Sequence, residues 1–205
     1  MCRSATDSHQ SELTFMKTPA TSGNYTATAD GEALGVIKFR GVNTSSVSDI
    51  GAQIRAVQNG TASGTVPTDL VFTTNETDRL TINASGASTF TGSLKSLTYQ
   101  ETYVSKSAAS TVACDLATAN HFAVTLDQNT TFTFSNPPSS GTSFSFTLII
   151  TQHSTAVTLT WPNTVDWAGG SAPDAAGNNE VQAYGFITRD GGTTYYGFLG
   201  GTAIG

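Results

Sequence analysis

The stretch Thr131–Gln152 reads TFTFSNPPSSGTSFSFTLIITQ and contains two runs in which apolar and polar side chains alternate. Phe132 and Phe134 hold alternate positions in the first run, and Phe146 and Leu148 do so in the second. Because successive side chains of a β-strand point to opposite faces of its sheet, the alternation predicts two half-buried strands. The Pro-, Ser- and Gly-rich segment between them predicts a turn. We expect the four apolar side chains to face one interior.

Comparable runs fill the rest of the chain from about Thr111: HFAVTL, AVTLTWP, VQAYGFITRD and TTYYGFLGG. Turn signals such as DQN, QHSTA and DGG separate them at intervals of about 8–12 residues, which is typical of β-sandwiches. Asp190-Gly191 predicts a hairpin turn. The sequence therefore predicts an all-β chain whose C-terminal part is an antiparallel, jelly-roll-like β-sandwich, with Phe186 in the same interior as the four side chains above.

The region Gly35–Leu94 has shorter alternating runs with fewer aromatic residues. Its segment SDIGAQIRAVQNG fits either a helix or a strand, and Gly51 favours the strand because glycine weakens a helix. Ordering a residue costs about 1–2 kcal/mol, whereas burial returns only about 25 cal/mol per Å² of apolar area. These thin strands therefore need partners, and the simplest partner is another copy of the chain. The predicted apolar stripe consists of Ile37, Phe39, Ile54, Leu70, Phe72, Leu80 and Ile82.

The change in pattern along the chain suggests four parts. Residues 1–30 are polar and irregular, and we interpret them as an N-terminal arm that docks on another protein. Residues 31–95 form the thin β region and residues 111–205 the β-sandwich. Residues 96–110 are interpreted as a connector, which is either a short helix or an extended crossing.

Composition excludes several functions. The chain has 205 residues, 12% of them charged, and a formal net charge of −6. A nucleic-acid interface needs clustered basic side chains, yet Arg189 is the only Lys or Arg after residue 106. No apolar segment has the length of a membrane span, and the start of the chain lacks the apolar core of a secretory signal. We expect no nucleic-acid binding, no membrane insertion, synthesis in a cytoplasm, and a reduced core thiol at Cys114.

The segment TLTWPNTVDWAGGSAP, Thr158–Pro173, contains both tryptophans of the chain. Pro162 ends the preceding strand because proline cannot donate to a β-ladder. A structural corner in which Trp161 and Trp167 pack together is the first interpretation. The alternatives are an aromatic platform for a sugar ring, with Asp166 accepting hydrogen bonds from its hydroxyls, and a catalytic site.

The sequence offers little support for catalysis. Glycoside hydrolysis needs two carboxyl groups at a fixed separation, one of them with a raised pKa, whereas several aspartates here lie in turn-like stretches. His121 and His153 are isolated in the sequence, and no metal-binding, phosphate-binding or nucleophile motif occurs. We therefore predict no enzyme activity, no catalytic residues, no metal site and no cofactor.

Several distinctive segments, taken in order, resemble the end domain of tail fibres and related virion proteins of tailed bacteriophages. Within 112–201 they are VACDLATANHFAVTLDQNTTFTFSNPP, FSFTLIITQ, VTLTWPNTVDWAGGSAP and GFITRDGGTTYYGFLGG. More weakly, IKFRG, LVFTT and RLTINASG resemble strand repeats of phage fibre shafts. The resemblance implies a homotrimer with a slender stranded shaft and a β-sandwich head, and it implies no catalytic residues.

We therefore expect a non-enzymatic virion structural protein of a tailed phage. In this interpretation a short trimeric fibre or knob on the particle surface contributes to host attachment, and its N-terminal arm contacts other virion proteins. A host surface glycan is a further candidate partner. One alternative is a capsid decoration or cement protein that stabilises the shell. Another is a free glycan-binding module, which ligand protection of Trp161 or Trp167 would favour.

Overall fold

The computed structural model describes residues 13–20, 25–155 and 157–204. The chain divides into two compact units, Met1–Leu97 and Thr98–Gly205. Within the described residues the units contain fourteen strands and one short 3-10 helix, Ala168–Gly170. The prediction of an all-β chain is confirmed, and the strand interpretation of SDIGAQIRAVQNG is also confirmed.

The N-terminal unit is a single antiparallel sheet in which each strand pairs with the next along the chain. One cross-strand row of apolar side chains runs over all five strands, because residues directly opposite one another share a face. The row consists of Ile37, Ile54, Phe72, Leu80 and Phe90. Leu70 and Ile82 form a second row beside it. The strands are β1 (Ala33–Val42), β2 (Ser48–Gln58), β3 (Thr68–Thr74), β4 (Thr77–Ile82) and β5 (Ser88–Phe90).

Two hairpin turns of this sheet have the same design. The Asn43 side-chain oxygen accepts hydrogen bonds from the backbone N–H groups of Ser45 and Val47, each at 3.0 Å. The Asn83 side chain binds the corresponding N–H groups of its own turn, at 3.1 and 2.9 Å. Asparagine favours such turns because its side chain bonds to the backbone two residues on. The asparagine side chains of the N-x-S segments at Asn43 and Asn83 therefore stabilise the backbone of their turns.

Part of the N-terminal arm lies against this sheet. Phe15 contacts Gly35, where a Cβ atom would come within 2.8 Å of the phenylalanine Cβ. The Lys17 ammonium is 3.4 Å from the Glu32 carboxylate, and the backbone N–H of Gly60 donates to Asp30 at 2.7 Å. The described portions of the arm, 13–20 and 25–30, therefore contact the chain's own first unit; residues 1–12 and 21–24 lie outside the described residues.

The C-terminal unit has a six-stranded and a three-stranded sheet. The larger sheet has the order β12-β14-β13-β10-β8-β6 and the smaller has β11-β9-β7. The strands are β6 (Tyr103–Lys106), β7 (Thr111–Asp115), β8 (His121–Thr125), β9 (Thr130–Ser135), β10 (Phe144–Thr151), β11 (Leu159–Thr160), β12 (Val165–Trp167), β13 (Val181–Thr188) and β14 (Tyr195–Gly201).

The expectation of an antiparallel sandwich is wrong in its pairing. β6, β8 and β10 run parallel, as do β7, β9 and β11, and β12 is parallel to β14. Successive strands from β6 to β12 alternate between the two sheets. In the pairs β6–β8, β8–β10, β7–β9 and β9–β11 the intervening strand lies in the other sheet, so strands two apart in the chain lie side by side there. A jelly roll, which is built from antiparallel strands, does not have this order. The hairpin at Asp190-Gly191 does join antiparallel strands, β13 and β14.

The core of the C-terminal unit lies between its two sheets. The predicted interior residues Phe132, Phe146, Leu148 and Phe186 are buried in one cluster, and Phe134 packs against it half-buried. The boundary between the units falls before Thr98. The segment interpreted as a connector therefore contributes β6, an edge strand of the larger sheet.

Candidate functional sites

The two tryptophans meet at the border of the C-terminal core. The chain leaves β11 at Thr160, turns at Pro162 with a backbone hydrogen bond of 3.0 Å from Val165, and enters β12. The rings of Trp161 and Trp167 are 5.2 Å apart in an edge-to-face arrangement. Such aromatic contacts stabilise by about 0.5–1.5 kcal/mol beyond area burial.

Each tryptophan also contacts the core. The Trp161 ring stacks on Phe132 with centroids 5.0 Å apart, so one face of this ring is covered. Trp167 is 9% exposed. A Cβ on Gly197, its neighbour across β12 and β14, would come within 2.7 Å of the Trp167 ring. The absence of a side chain at Gly197 is therefore what makes room for this ring.

Asp166 points away from both tryptophans. It alternates with Trp167 along β12, lies exposed, and pairs with Tyr196 on the outer face of the larger sheet. There Asp166, Tyr196 and Phe198 border a depression of about 160 Å³, which Trp167 also lines. The structure thus brings Trp161 and Trp167 together and places Asp166 on the opposite face. The glycan platform on these three residues stays a prediction.

The same outer face also has a larger groove, which the sequence did not predict. One cross-strand row crosses five strands: Phe198 on β14, Gly185 on β13, Thr147 on β10, His121 on β8 and Tyr103 on β6. A groove of about 250 Å³ lies along this row. Gly185 has no neighbour within 4 Å of a Cβ position, so the groove is open above it.

Polar side chains surround one end of this groove. The His121 ring nitrogen Nε2 contacts the Glu101 carboxylate, and the Asn120 amide donates to the same carboxylate at 3.4 Å. Ser145 and Thr147 add hydroxyl groups from β10. Phe198, which is 47% exposed, forms the apolar end. The groove therefore combines an aromatic surface with hydrogen-bonding groups, a combination suited to an amphipathic small molecule.

The apolar face of the N-terminal sheet is the second candidate surface. Phe39 is 55% exposed, Phe90 45%, Ile37 43% and Leu70 38%. Phe15 borders a shallow apolar groove of about 330 Å³ on this face. Contiguous apolar surface of this kind marks interaction sites.

Ionisable groups inside the C-terminal core are kept neutral. Burial raises the pKa of the Cys114 thiol to about 11, against a smaller lowering by Lys106. Burial also raises the pKa of Tyr184 to about 12, and the Tyr184 hydroxyl donates to the Gln182 side chain at 2.7 Å. Cys114 and Tyr184 are therefore uncharged at neutral pH.

In the hairpin after β13, hydrogen bonds from Thr194 hold the pKa of Asp190 below its usual value. The Asp190 carboxylate accepts the backbone N–H of Thr194 at 3.0 Å. This carboxylate therefore serves the turn, as the sequence predicted for its Asp-Gly pair.

Within 13–20, 25–155 and 157–204, no group of three or more His, Cys, Asp or Glu side chains is placed to hold a metal ion. In the same residues no helix has the length and apolarity of a membrane span. Comparison of the chain with protein-family models and with curated proteins finds no match.

Proposed function

We propose that the protein is a non-enzymatic structural protein of a tailed-phage virion, in which three copies form a short fibre or knob that contributes to host attachment. The observation that carries this proposal is the exposed apolar face of the N-terminal sheet. The segments that resemble phage fibre shafts, IKFRG, LVFTT and RLTINASG, contribute the residues of this face. The proposed trimer therefore uses the same residues that carry the resemblance.

The apolar rows explain why the chain needs copies of itself. An isolated sheet with large side chains exposed on one face favours aggregation, and its outer strands β1 and β5 add backbone groups open to pairing. A closed arrangement of copies around an axis covers the faces and protects the edges together. The number three comes from the resemblance to phage fibres.

The solution mass of the purified full-length protein tests the assembly. Light scattering should give three times 21.3 kDa, and the mass should persist on dilution until the protein unfolds, since obligate subunits lack a stable isolated state. A compact stable monomer contradicts the proposal.

The position on the particle is tested separately. Antibodies against the chain, imaged on intact virions by electron microscopy, should label tail structures if the protein serves attachment. Labelling spread evenly over the capsid shell assigns the decoration or cement role instead. A chain that is missing from purified particles is a free module, and the virion proposal is then wrong.

A further inference from the structure

We propose that the groove on the outer face of the six-stranded sheet binds a neutral saccharide, with one sugar ring seated over Gly185 and against Phe198. The proposal gives the host-attachment part of the proposed function a ligand class, and it rests on that function for its biological meaning. The binding itself belongs to the C-terminal unit.

The size and floor of the groove suit a single ring. Its volume of about 250 Å³ is slightly below that of sites for drug-sized ligands, which begin at about 300 Å³. Gly185 lies on a central strand between β10 and β14, where any side chain would fill this space. The missing side chain therefore makes the depression.

The lining has the two kinds of surface that a sugar presents. A pyranose has an apolar face of C–H groups and a polar edge of hydroxyls. Phe198 offers an exposed aromatic ring for the first. Asn120, Ser145 and Thr147 offer amide and hydroxyl groups that both donate and accept, and Glu101 offers a carboxylate that accepts.

The charge of the lining selects a neutral ligand. Glu101 lies in the groove with His121 as its partner, Asp166 lies in the adjoining depression, and no Lys or Arg is among the residues that border either one. An anionic sugar would meet the two carboxylates without a Lys or Arg to pair with, which disfavours it. Phe198 borders both depressions, so a second ring can continue past it towards Asp166.

The backbone around the groove argues against a peptide in extended form. Such a peptide binds by adding a strand to an open sheet edge. The floor of this groove consists of β10 and β13, which are paired on both sides. Recognition here depends on side chains, as it does for a sugar ring.

Saturation-transfer NMR on the full-length protein tests the proposal. The probes are glucose, galactose, mannose and N-acetylglucosamine, with N-acetylneuraminic acid as the anionic comparison. We expect transfer to the ring protons of at least one neutral sugar and a much weaker signal from the anionic one. No transfer to any neutral sugar, or equal transfer to the anionic sugar, overturns the proposal.

Two variants locate the binding. Gly185→Val places a side chain in the groove and should abolish the signal, and valine suits a strand. Phe198→Ala should weaken binding about tenfold, which corresponds to 1.4 kcal/mol. Thr133→Val, at an exposed position on the smaller sheet, is the matched control and should bind like the unchanged protein. Unchanged melting of tryptophan fluorescence shows that each variant is folded. Binding that survives Gly185→Val in a folded protein overturns the site.

The outcomes separate this site from the proposed assembly. A trimeric protein that binds none of the neutral sugars removes the groove proposal and leaves the trimer. A monomeric protein that binds a neutral sugar in the Gly185-dependent way removes the trimer and keeps the groove.

Discussion

The two units differ in what covers the apolar side of their largest sheet. In the C-terminal unit the three-stranded sheet packs on the six-stranded one, and Phe132, Leu148 and Tyr184 are completely buried. In the N-terminal unit the apolar rows remain open, and Phe39 and Phe90 are about half exposed. Among the described residues of the first unit no second sheet covers these rows, whereas the second unit contains two packed sheets. We therefore expect only the C-terminal unit to be stably folded as a single chain.

This difference can be measured because each unit has its own probe. Trp161 and Trp167 both lie in the C-terminal unit, so tryptophan fluorescence reports on that unit alone. Amide hydrogen exchange followed by peptide mass spectrometry reports on the N-terminal strands.

Phe146→Ala has the largest expected effect. Phe146 is 3% exposed, stacks on Phe186 at 4.9 Å and meets the Phe134 ring at the same distance. Removing the ring leaves a cavity between the sheets and should destabilise the unit by about 3–5 kcal/mol. Denaturant unfolding followed by tryptophan fluorescence measures this loss, and aggregated protein is the expected product at higher temperature.

The control for this prediction is Ile149→Ala on the same strand. Ile149 faces the outer side and is 39% exposed, so its loss should cost about 1 kcal/mol or less. Equal effects of the two substitutions would show that the strand does not separate a core face from a solvent face.

Leu70→Asp should have the next largest effect, and it acts on the N-terminal unit. Leu70 lies on the open apolar face beside Ile82. A charge there would be buried in the proposed trimer without a partner, so the trimer should dissociate and the N-terminal amides should lose protection. Light scattering and hydrogen exchange measure the two results. Tryptophan fluorescence should remain that of a folded C-terminal unit.

Lys38→Asp is its control because Lys38 pairs with Gln53 on the other face. It should leave the mass unchanged. A Leu70→Asp protein that keeps its mass and its protection would remove the apolar face as the assembly surface.

Alternation along the sequence predicted the faces of the strands but not their neighbours. It placed Phe132, Phe146 and Leu148 in the core and Ile37 with Ile54 on one face. Alternation with a period of two residues can be read within a single strand, so it needs no knowledge of the neighbouring strands. Which strands pair depends on whether each turn keeps the chain in one sheet or passes it to the other. The turn sequences before β7 and β9 do not show whether the chain stays in one sheet or crosses to the other. The parallel pairs were therefore not predicted.

The sites show the same limit. The outer groove brings together Phe198, Gly185 and His121 from three strands, and only the register makes them neighbours. The separation of Asp166 from Trp167 was predictable, since adjacent residues of a strand face opposite sides. The interpretation as a structural corner does not include the short strand β12, so this separation was not predicted.

Gly197→Ala tests the close packing of the C-terminal core. The added methyl group would lie 2.7 Å from the Trp167 ring, and a rigid ring can only move by disturbing its neighbours. We expect a loss of about 1–3 kcal/mol in the free energy of unfolding from overpacking, with a changed tryptophan emission.

Gly185→Ala, on the neighbouring strand, meets open space. It should gain about 0.5–1 kcal/mol, because alanine loses less entropy than glycine in a strand. Effects of the same sign would contradict the two packing environments.

The smallest effect concerns the two matched turns of the N-terminal sheet. In both turns the third residue after the asparagine has a left-handed backbone, with φ of 59° at Ser46 and 88° at Gly86. Glycine adopts this conformation without steric cost, whereas a residue with a Cβ is strained there. Ser46→Gly should therefore stabilise the β1–β2 hairpin by roughly 0.5 kcal/mol, since relief of strain exceeds the added freedom of the unfolded chain. Gly86→Ser should destabilise the β4–β5 hairpin by a similar amount. Because nothing lies within 4 Å of a Cβ at Gly86, that change measures the backbone strain without a side-chain clash. Hydrogen exchange of the two hairpins measures both, while tryptophan fluorescence should show an unchanged C-terminal unit. The two substitutions must act in opposite directions, and a shared sign would show that the turns do not have the same backbone requirement.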